Sequence, residues 1–443
     1  MPIKNRAVKS ELITSVFHKA AIALLLQVLG IGIAYLMQVL FARWLGVAQY
    51  GIYEYVISIG TLLGFLAALG LPNCLLRFIP KYTVGEDWGK LRGIVWGSWR
   101  YVFFSSVTIA VIGIALIVAW DWYSSTDLAL ASFLLGMVTI PLLALVRHQR
   151  EMSRGIKQMT LAYLPSTIAF PILAIAGGFY YRQNLSSPRA ITIVILSLAI
   201  VLLSQLWIFN RQLPKPCFTS QPVYLRKEWF AMALPLLFND SAFVLLSQTD
   251  TLTIGAILGT DRVGIYSAAF KTAAGVSFVL MGINAIAAPM FATLHTQADD
   301  QGLQKLTSTV ARWLFYPTLI FAILLIASGD RVLSLFGTEF VAARWSMTIL
   351  VLGQLVNVGA GSVGYLMQMT GHHRQSAWVM GCSAIINLIL NLILIPLYGI
   401  LGAAIATATT MALWNIWLHC LVVKYLGIKP SIVFNLFPAS STD

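Results

Sequence analysis

Charged residues are scarce in this sequence. Asp, Glu, Lys and Arg together make up 10% of the 443 residues, whereas a soluble domain usually carries about 25%. Hydrophobic residues make up 58%, and the mean hydropathy is +0.81. A water-soluble chain of this composition would lack the polar surface to cover itself, and single aqueous cores stop growing near about 250–300 residues. Lipid must therefore solvate much of the protein surface.

Cysteine and histidine are too few and too scattered to indicate a disulfide framework or a metal centre. The four cysteines show no Cys-x-x-Cys spacing. The only adjacent histidines, His372 and His373, have no carboxylate or cysteine nearby. An enzyme embedded in a membrane would show a cluster of His, Asp, Glu or Arg at one face, often on a long loop. We find none in the sequence, so we expect neither catalytic residues nor a bound metal or organic cofactor.

Acidic residues are also few, which leaves a net charge of +13 from 29 Lys and Arg against 16 Asp and Glu. Nucleic-acid binding would need a basic face on a soluble fold, and here the basic residues lie in short segments between apolar runs. When these segments are assigned to alternate sides, 22 basic residues fall on one side, six on the other, and Lys271 lies within a span. The positive-inside rule then places both termini in the cytoplasm and the protein in the cytoplasmic (inner) membrane.

The apolar runs predict an all-α polytopic membrane protein. A membrane-spanning helix needs about 20 apolar residues, and helices satisfy their own backbone hydrogen bonds in lipid. About twelve spans are expected. They lie near 20–42, 50–72, 97–119, 127–146, 160–180, 190–210, 231–257, 263–288, 309–328, 345–369, 376–397 and 400–423.

The chain divides into two similar halves. The longest polar break, 211–228, separates an N-terminal six-helix lobe (1–210) from a C-terminal one (229–423), and a cytoplasmic tail (424–443) follows. Residues 45–53 (LGVAQYGIY) align without a gap on 258–266 (LGTDRVGIY), and both copies join the first two spans of their half. Because six spans is an even number, the halves should be parallel repeats. Two such bundles facing each other across a cleft are typical of an alternating-access transporter.

Several short patterns resemble the polysaccharide and oligosaccharide flippases of the multidrug/oligosaccharidyl-lipid/polysaccharide exporter superfamily. They are ARWLG at 42–46, YGIY at 50–53, LGL at 69–71, RF at 77–78, VGIY at 263–266 and IPLYGILGAAIAT at 395–407. The resemblance covers nearly the whole chain. Because its motifs are glycine-rich and apolar, they specify the superfamily better than the substrate.

The resemblance implies two six-helix lobes that form a V-shaped cleft and move a lipid-linked oligosaccharide or polysaccharide precursor across the inner membrane. Implied partners are that lipid-linked glycan, membrane lipids, and a glycan polymerase or glycosyltransferases. The main alternative is a multidrug extruder of the same superfamily coupled to Na⁺ or H⁺, and a distant one is a glycan-modifying membrane enzyme. Drug exporters often carry an acidic residue in the first span, where this chain has only Gln27 and Gln38 as strongly polar groups.

Charged residues within spans are costly and generally face a cavity or a partner. In span seven, Asn239, Asp240, Ser247 and Asp250 fall within about 100° of one another at 100° per residue. This polar face either lines the cleft, with Asp240 and Asp250 as coupling-ion candidates, or makes interhelical hydrogen bonds. Both interpretations stay open.

Lys271 lies in span eight at a depth similar to that of Asp250, since both are about equally far from the 258–262 turn. We expect the two to form a buried ion pair, either as a structural clip or as a switch that opens when a substrate anion competes for Lys271. Glu54 lies about one turn inside the external end of span two, where a solvated rim and a coupling role are equally compatible with the sequence.

Three arginines are candidates for binding a diphosphate. Arg100 and Arg312 begin spans three and nine at the cytoplasmic face, and Arg77 lies on the same side. Guanidinium groups match phosphate oxygens, so the three would form a cationic entrance; the simpler interpretation is that they extend to lipid headgroups. The candidate substrate-binding residues are these three arginines together with Gln27, Asn239 and Lys271.

Overall fold

The computed structural model describes the backbone of residues 2–124 and 129–432. Side chains are described from residue 25 onward within these ranges, except at 123, 124, 239, 279, 281, 285 and 286. All regular elements in this part of the chain are helical.

The first half contains α1 (Pro2–Ala67), α2 (Leu71–Val84), α3 (Trp88–Ser124), α4 (Leu130–Gly155), α5 (Met159–Tyr163), α6 (Phe170–Tyr180), α7 (Ser187–Gln212) and α8 (Lys215–Thr219). A π-helical segment, Leu164–Ala169, joins α5 to α6. The second half contains α9 (Arg226–Leu258), α10 (Thr260–Ala274), α11 (Phe278–Thr296), α12 (Asp300–Ala327), α13 (Gly329–Ser334), α14 (Arg344–Gly359), α15 (Val363–Met369), α16 (His373–Tyr398) and α17 (Ile400–Leu426).

Eleven helical stretches among the described residues are long and apolar enough to cross a membrane. The first of them, Leu25–Ala67, is 43 residues long and breaks at Gly46, where the backbone leaves the helical region. It therefore covers most of the first two predicted spans, 20–42 and 50–72, and the other ten stretches match the remaining ten. Large apolar side chains are exposed along α3, α12 and α16, as lipid contact requires: Phe104, Val111, Leu116, Ile320, Leu324, Leu392, Ile393 and Leu397.

The two aligned loops of the internal repeat share one backbone conformation. Gly46 has φ 70° and ψ 172°, and its aligned partner Gly259 has φ 88° and ψ 168°. These values lie in a region that side chains with a Cβ rarely adopt, so both positions require glycine. The sequence repeat is thus a repeat of local structure.

The two copies of the loop also pack against each other through equivalent residues. A Cβ on Gly51 would collide with the carbonyl group of Thr260, and a Cβ on Gly264 would lie 2.6 Å from the carbonyl oxygen of Val47. In the alignment Gly51 corresponds to Gly264 and Val47 to Thr260, so the contact is the same seen from either copy. Only glycine allows two backbones to approach this closely.

The chain forms two compact units. The first unit comprises the chain up to Trp44 and residues 56–241, and the second unit comprises residues 45–55 and the chain from Ala242 onward. Residues 45–55 join the second unit because they pack on the start of α10 and because the Tyr50 ring meets the Phe340 ring edge-on, with centroids 5.8 Å apart. The lobes expected at 1–210 and 229–423 stay a prediction.

The polar segment 211–228 is fixed to α3 within the first unit. One guanidinium nitrogen of Arg92 donates to the carbonyl oxygens of Phe218 and Ser220, each at 2.7 Å, and the Val223 amide donates to the Gly89 carbonyl at 2.9 Å. Burial raises the pKa of the Cys217 thiol in α8, so this cysteine is not a reactive thiolate.

The variant Gly51→Ala tests the contact between the loops. The added methyl group would meet the Thr260 backbone, which cannot rotate away, and we expect a loss of about 1–3 kcal/mol, the usual cost of overpacking. Thermal unfolding of the purified protein in detergent should show a lowered midpoint. Gly381→Ala is the matched control because nothing lies within 4 Å of its added methyl group; equal midpoints for the two variants would contradict the contact.

Candidate functional site

A buried carboxylate lies at the centre of a polar network in the second unit. Asp250 in α9 is 2% exposed. It accepts hydrogen bonds from the Tyr266 hydroxyl, from the Thr407 hydroxyl at 2.6 Å and from the Asn391 side-chain amide at 2.9 Å. Among the described residues, no lysine or arginine lies within ion-pair distance of it. Polar donors, and not a counter-charge, satisfy this carboxylate.

Four helices supply the network because two tight turns place them side by side. The turn at Gly259 folds α10 back on α9, which brings Tyr266 to Asp250, and the turn at Gly399 does the same for α16 and α17. Asn387 and Asn391 lie one turn apart on α16, and the Asn387 side-chain amide donates to Thr407 at 3.2 Å. The Asn391 amide also donates to the Asn387 carbonyl at 3.0 Å.

The predicted ion pair between Asp250 and Lys271 is wrong. The Lys271 ammonium nitrogen lies 2.5 Å from a carboxylate oxygen of Glu54 instead. Lys271 follows Tyr266 by five residues, which turns it by about 140° around α10, away from the face that carries Tyr266 to Asp250. The similar distance of the two residues from the 258–262 turn does not determine the direction of each side chain around its helix.

Glu54 is buried, so its interpretation as a solvated rim residue is also wrong. It is 5% exposed and belongs to the second unit with Lys271. The Lys271 ammonium nitrogen also lies 5.9 Å from the centre of the Tyr50 ring. The pair therefore ties the short segment 45–55 to α10 beside the contact between the loops.

The first unit holds a separate polar cluster around Asp240. The Asn73 side-chain amide donates to Asp240, and the Arg147 guanidinium lies 4.0 Å from the same carboxylate and 4.4 Å from the centre of the Phe65 ring. The side chain of Asn239 lies outside the described residues. The polar face predicted along span seven is thus divided between two networks, one around Asp240 and one around Asp250.

The predicted cationic entrance stays a prediction. Arg77 in α2, Arg100 in α3 and Arg312 in α12 are all exposed. Arg312 donates to the Ser308 carbonyl one turn earlier at 3.4 Å. Gln27 in α1 is half-buried. No contact among the described residues brings any of these four together.

A cavity of about 340 Å³, largely apolar but with several polar side chains in its wall, opens within the second unit, and we call it the amide cavity. Four of its lining residues carry side-chain amides (Asn284, Gln354, Asn357 and Asn387), and four are aromatic (Phe243, Phe270, Tyr365 and Trp414). Asn387 and Thr407 also belong to the network of Asp250, which therefore lies directly behind the cavity wall.

The amides along α14 were missed in the sequence, although a signal was present. Gln354 and Asn357 are spaced i, i+3 within an apolar span, the arrangement that puts two side chains on one helix face. Uncompensated polar groups are costly in an apolar environment, so such a pair indicates a shared polar surface. Asn73 gave no such signal, because it stands alone at the start of α2.

A family model described as "Polysaccharide biosynthesis protein" matches residues 16–295, more than half of the chain. The chain belongs to this family. A second model, MatE, matches residues 235–393.

Relatives of this chain are found in archaea. An uncharacterized membrane protein of Methanocaldococcus jannaschii is 25% identical over 87% of this chain and 80% of its own length. Two Haloferax volcanii proteins match over shorter regions. The probable low-salt glycan biosynthesis flippase Agl15 is 28% identical over 48% of this chain and 46% of its own length. The probable flippase AglR is 30% identical over 44% of this chain and 40% of its own length. The chain thus matches less than half the length of each named flippase.

Solved structures of transporters share the fold of this family member. An inward-facing multidrug resistance MATE family transporter of the MOP superfamily aligns with a TM-score of 0.73 and 12% identity, over 89% of this chain and 94% of the other. A MOP superfamily transporter from Pyrococcus furiosus aligns with a TM-score of 0.61 and 13% identity, over 91% of this chain and 95% of the other. At such identities the likeness shows the fold alone. The all-helical, multi-pass membrane fold and the family resemblance are confirmed.

The ion pair between Glu54 and Lys271 predicts a non-additive pair of variants. Glu54→Gln leaves the Lys271 ammonium group without its partner, and we expect a loss of about 3 kcal/mol, the lower end of the cost of breaking a buried pair, because Lys271 is part-exposed. Adding Lys271→Met removes both charges and should recover most of that loss. Thermal unfolding of the parent protein, the two single variants and the double variant measures the coupling energy between the two residues. If the stability losses of the single variants simply add in the double variant, the ion pair is ruled out.

Proposed function

We propose that this protein moves a lipid-linked oligosaccharide or polysaccharide precursor across the cytoplasmic membrane by alternating access. Membership of the polysaccharide biosynthesis family supports it, as do two relatives named as probable flippases. The structural observation that carries it is the amide cavity, where four side-chain amides are exposed among spanning helices whose large exposed side chains are apolar. Polar groups at such depth are generally functional. A transporter, and not an enzyme, is the function that this chemistry favours.

We further propose that both termini lie in the cytoplasm of the producing cell. The distribution of 22 basic residues on one side against six on the other supports this orientation. The exposed guanidinium groups of Arg77, Arg100 and Arg312 would then face the side on which a lipid-linked precursor is made, where they would attract its diphosphate. A glycan polymerase or glycosyltransferases are the partners that such a substrate implies.

Asp250 is our candidate for coupling transport to a cation. Its carboxylate is surrounded by hydroxyl and amide groups, so its charge is met by dipoles alone. A bound proton or Na⁺ would remove that unbalanced charge and change the bonds made by Thr407 and Asn391. Glu54 is a weaker candidate because Lys271 already neutralises it, and Asp240 already has Asn73 and Arg147 beside it.

The second candidate function is multidrug extrusion. The MatE model over residues 235–393 and the fold shared with MATE transporters favour it. A carboxylate would strengthen the binding of cationic drugs, however, and the described lining of the amide cavity contains only aromatic rings and amides for such a ligand. The flippase is therefore the better supported proposal.

Reconstitution in vesicles separates these two functions. Purified protein is placed in liposomes with a fluorescent polyprenyl diphosphate-linked disaccharide, and the fraction of label accessible to an external quencher is followed. We expect exchange of the lipid-linked sugar well above that of empty liposomes, and no accumulation of cationic dyes. Dye accumulation without exchange of the lipid-linked sugar would overturn the flippase in favour of the drug extruder.

The variant Asp250→Asn tests coupling in the same vesicles. It removes the charge that a cation would neutralise, and we expect the stimulation by a Na⁺ or proton gradient to fall about tenfold, the effect of roughly 1.4 kcal/mol on a barrier. Asp261→Asn is the matched control, because Asp261 is an exposed carboxylate in the first turn of α10. A full gradient response in Asp250→Asn would exclude Asp250 from coupling.

A further inference from the structure

We propose that the amide cavity binds uncharged sugar residues of the transported glycan. The inference rests on the transport function proposed above and adds where the sugars bind and of what kind they are. The site lies entirely within the second unit, between α9, α10, α11, α14, α15, α16 and α17.

The described lining of the cavity is uncharged and combines a largely apolar wall with four side-chain amides. It contains no Asp, Glu, Lys or Arg. A diphosphate would require cationic donors, and the nearby cation Lys271 is held by Glu54. A cationic ligand would gain most from a carboxylate, and Asp250 lies behind Thr407 with three donors already on it. The uncharged wall of amides and apolar side chains therefore favours a neutral ligand that presents both hydroxyl groups and apolar C–H faces, as a sugar ring does.

The four amides supply donors and acceptors suited to hydroxyl groups. Each side-chain amide has two N–H donors and a carbonyl acceptor, whereas each hydroxyl both donates and accepts. The Asn284 oxygen accepts from Ser362, but its amide nitrogen makes no hydrogen bond within the described part of the chain. The same holds for the amide nitrogen of Gln354. Both nitrogens are therefore available to a ligand.

A chain of hydrogen bonds fixes the orientation of these amides. Asn415 in α17 donates to the Asn357 oxygen at 2.9 Å, and Asn357 donates to the Gln354 oxygen at 3.3 Å. Asn415 is itself anchored by a bond to the Met411 carbonyl at 2.8 Å. Amides that are held in place before binding lose little side-chain entropy when a ligand arrives.

Aromatic rings complete the chemistry of a sugar site. Trp414, Tyr365, Phe243 and Phe270 all line the cavity. The face of an aromatic ring is negative and attracts the polarised C–H groups on one face of a pyranose. The indole N–H of Trp414 and the hydroxyl of Tyr365 make no hydrogen bond among the described residues, so each can also bond to a sugar. The volume of about 340 Å³ lies within the roughly 300–1,000 Å³ of small-molecule sites.

Photolabelling tests this assignment directly. Full-length protein in nanodiscs is mixed with a polyprenyl diphosphate that carries two uncharged hexoses and a diazirine on the outer sugar, then irradiated and analysed by peptide mass spectrometry. We expect adducts on α14, α15 and α17, at or beside Asn357, Tyr365 and Trp414, and loss of these adducts when the free disaccharide is added in excess. Adducts confined to residues 56–241, or no adduct that the free disaccharide removes, would overturn the proposal.

Variants with a matched control make the result quantitative. We expect Trp414→Ala and Asn357→Ala each to reduce labelling about tenfold, the effect of about 1.4 kcal/mol of lost binding, and Trp414→Phe to keep most of it because the ring remains. Trp378→Ala is the control, since Trp378 on α16 is 68% exposed and outside the cavity lining. Unchanged labelling in both alanine variants would reject the cavity as the sugar site.

The labelling tests the sugar site, and the vesicle assay tests the transport function, so each proposal can be contradicted without the other. Exchange of the lipid-linked sugar together with adducts outside the second unit would support the flippase function and contradict the sugar site. Sugar-dependent adducts in the cavity without any exchange would keep the site and refute the transport function.

Discussion

Lipid offers no hydrogen bonds, so polar side chains inside spanning helices must find their partners within the protein. This constraint organises the second unit. Asp250 draws one donor from each of three other helices, and Glu54 draws Lys271. Each interaction joins segments that apolar side chains alone would hold only loosely, because packing in lipid has no hydrophobic effect to drive it. The turns at Gly259 and Gly399 place helices side by side, and the polar groups add specific bonds between them.

Composition and hydropathy were sufficient to predict the helical membrane fold, and the repeat in residues 45–53 and 258–266 marked a shared turn. The partners of individual charges could not be obtained in the same way. Hydropathy gives the depth of Lys271 but not its direction around α10, and a shift of a few residues turns a side chain toward a different neighbour. The partner of Asp240 was harder still to predict, since Asn73 is distant in sequence and is uncharged.

A shared fold need not carry shared side-chain chemistry. The solved transporters share the fold of this chain at 12–13% identity, and function depends on the residues placed on a fold. In this chain the described cavity wall combines amides with aromatic rings. Thr407 belongs both to that wall and to the bonds of Asp250. If a ligand in the cavity changes the affinity of Asp250 for a cation through Thr407, the cation must change the affinity for that ligand by the same factor.

The contact between the two loops is symmetric in its backbone but not in its charges. If the alignment is continued along both helices, Glu54 corresponds to Ser267 and Lys271 to Ser58. The ion pair thus has only hydroxyl groups at the equivalent positions of the other copy. Each copy therefore contributes one member of the ion pair, Glu54 from the first and Lys271 from the second. A pair of backbones that is equivalent in shape thus has two sides that differ in charge, so an ion near this contact meets a carboxylate and an ammonium group on one side and hydroxyl groups on the other.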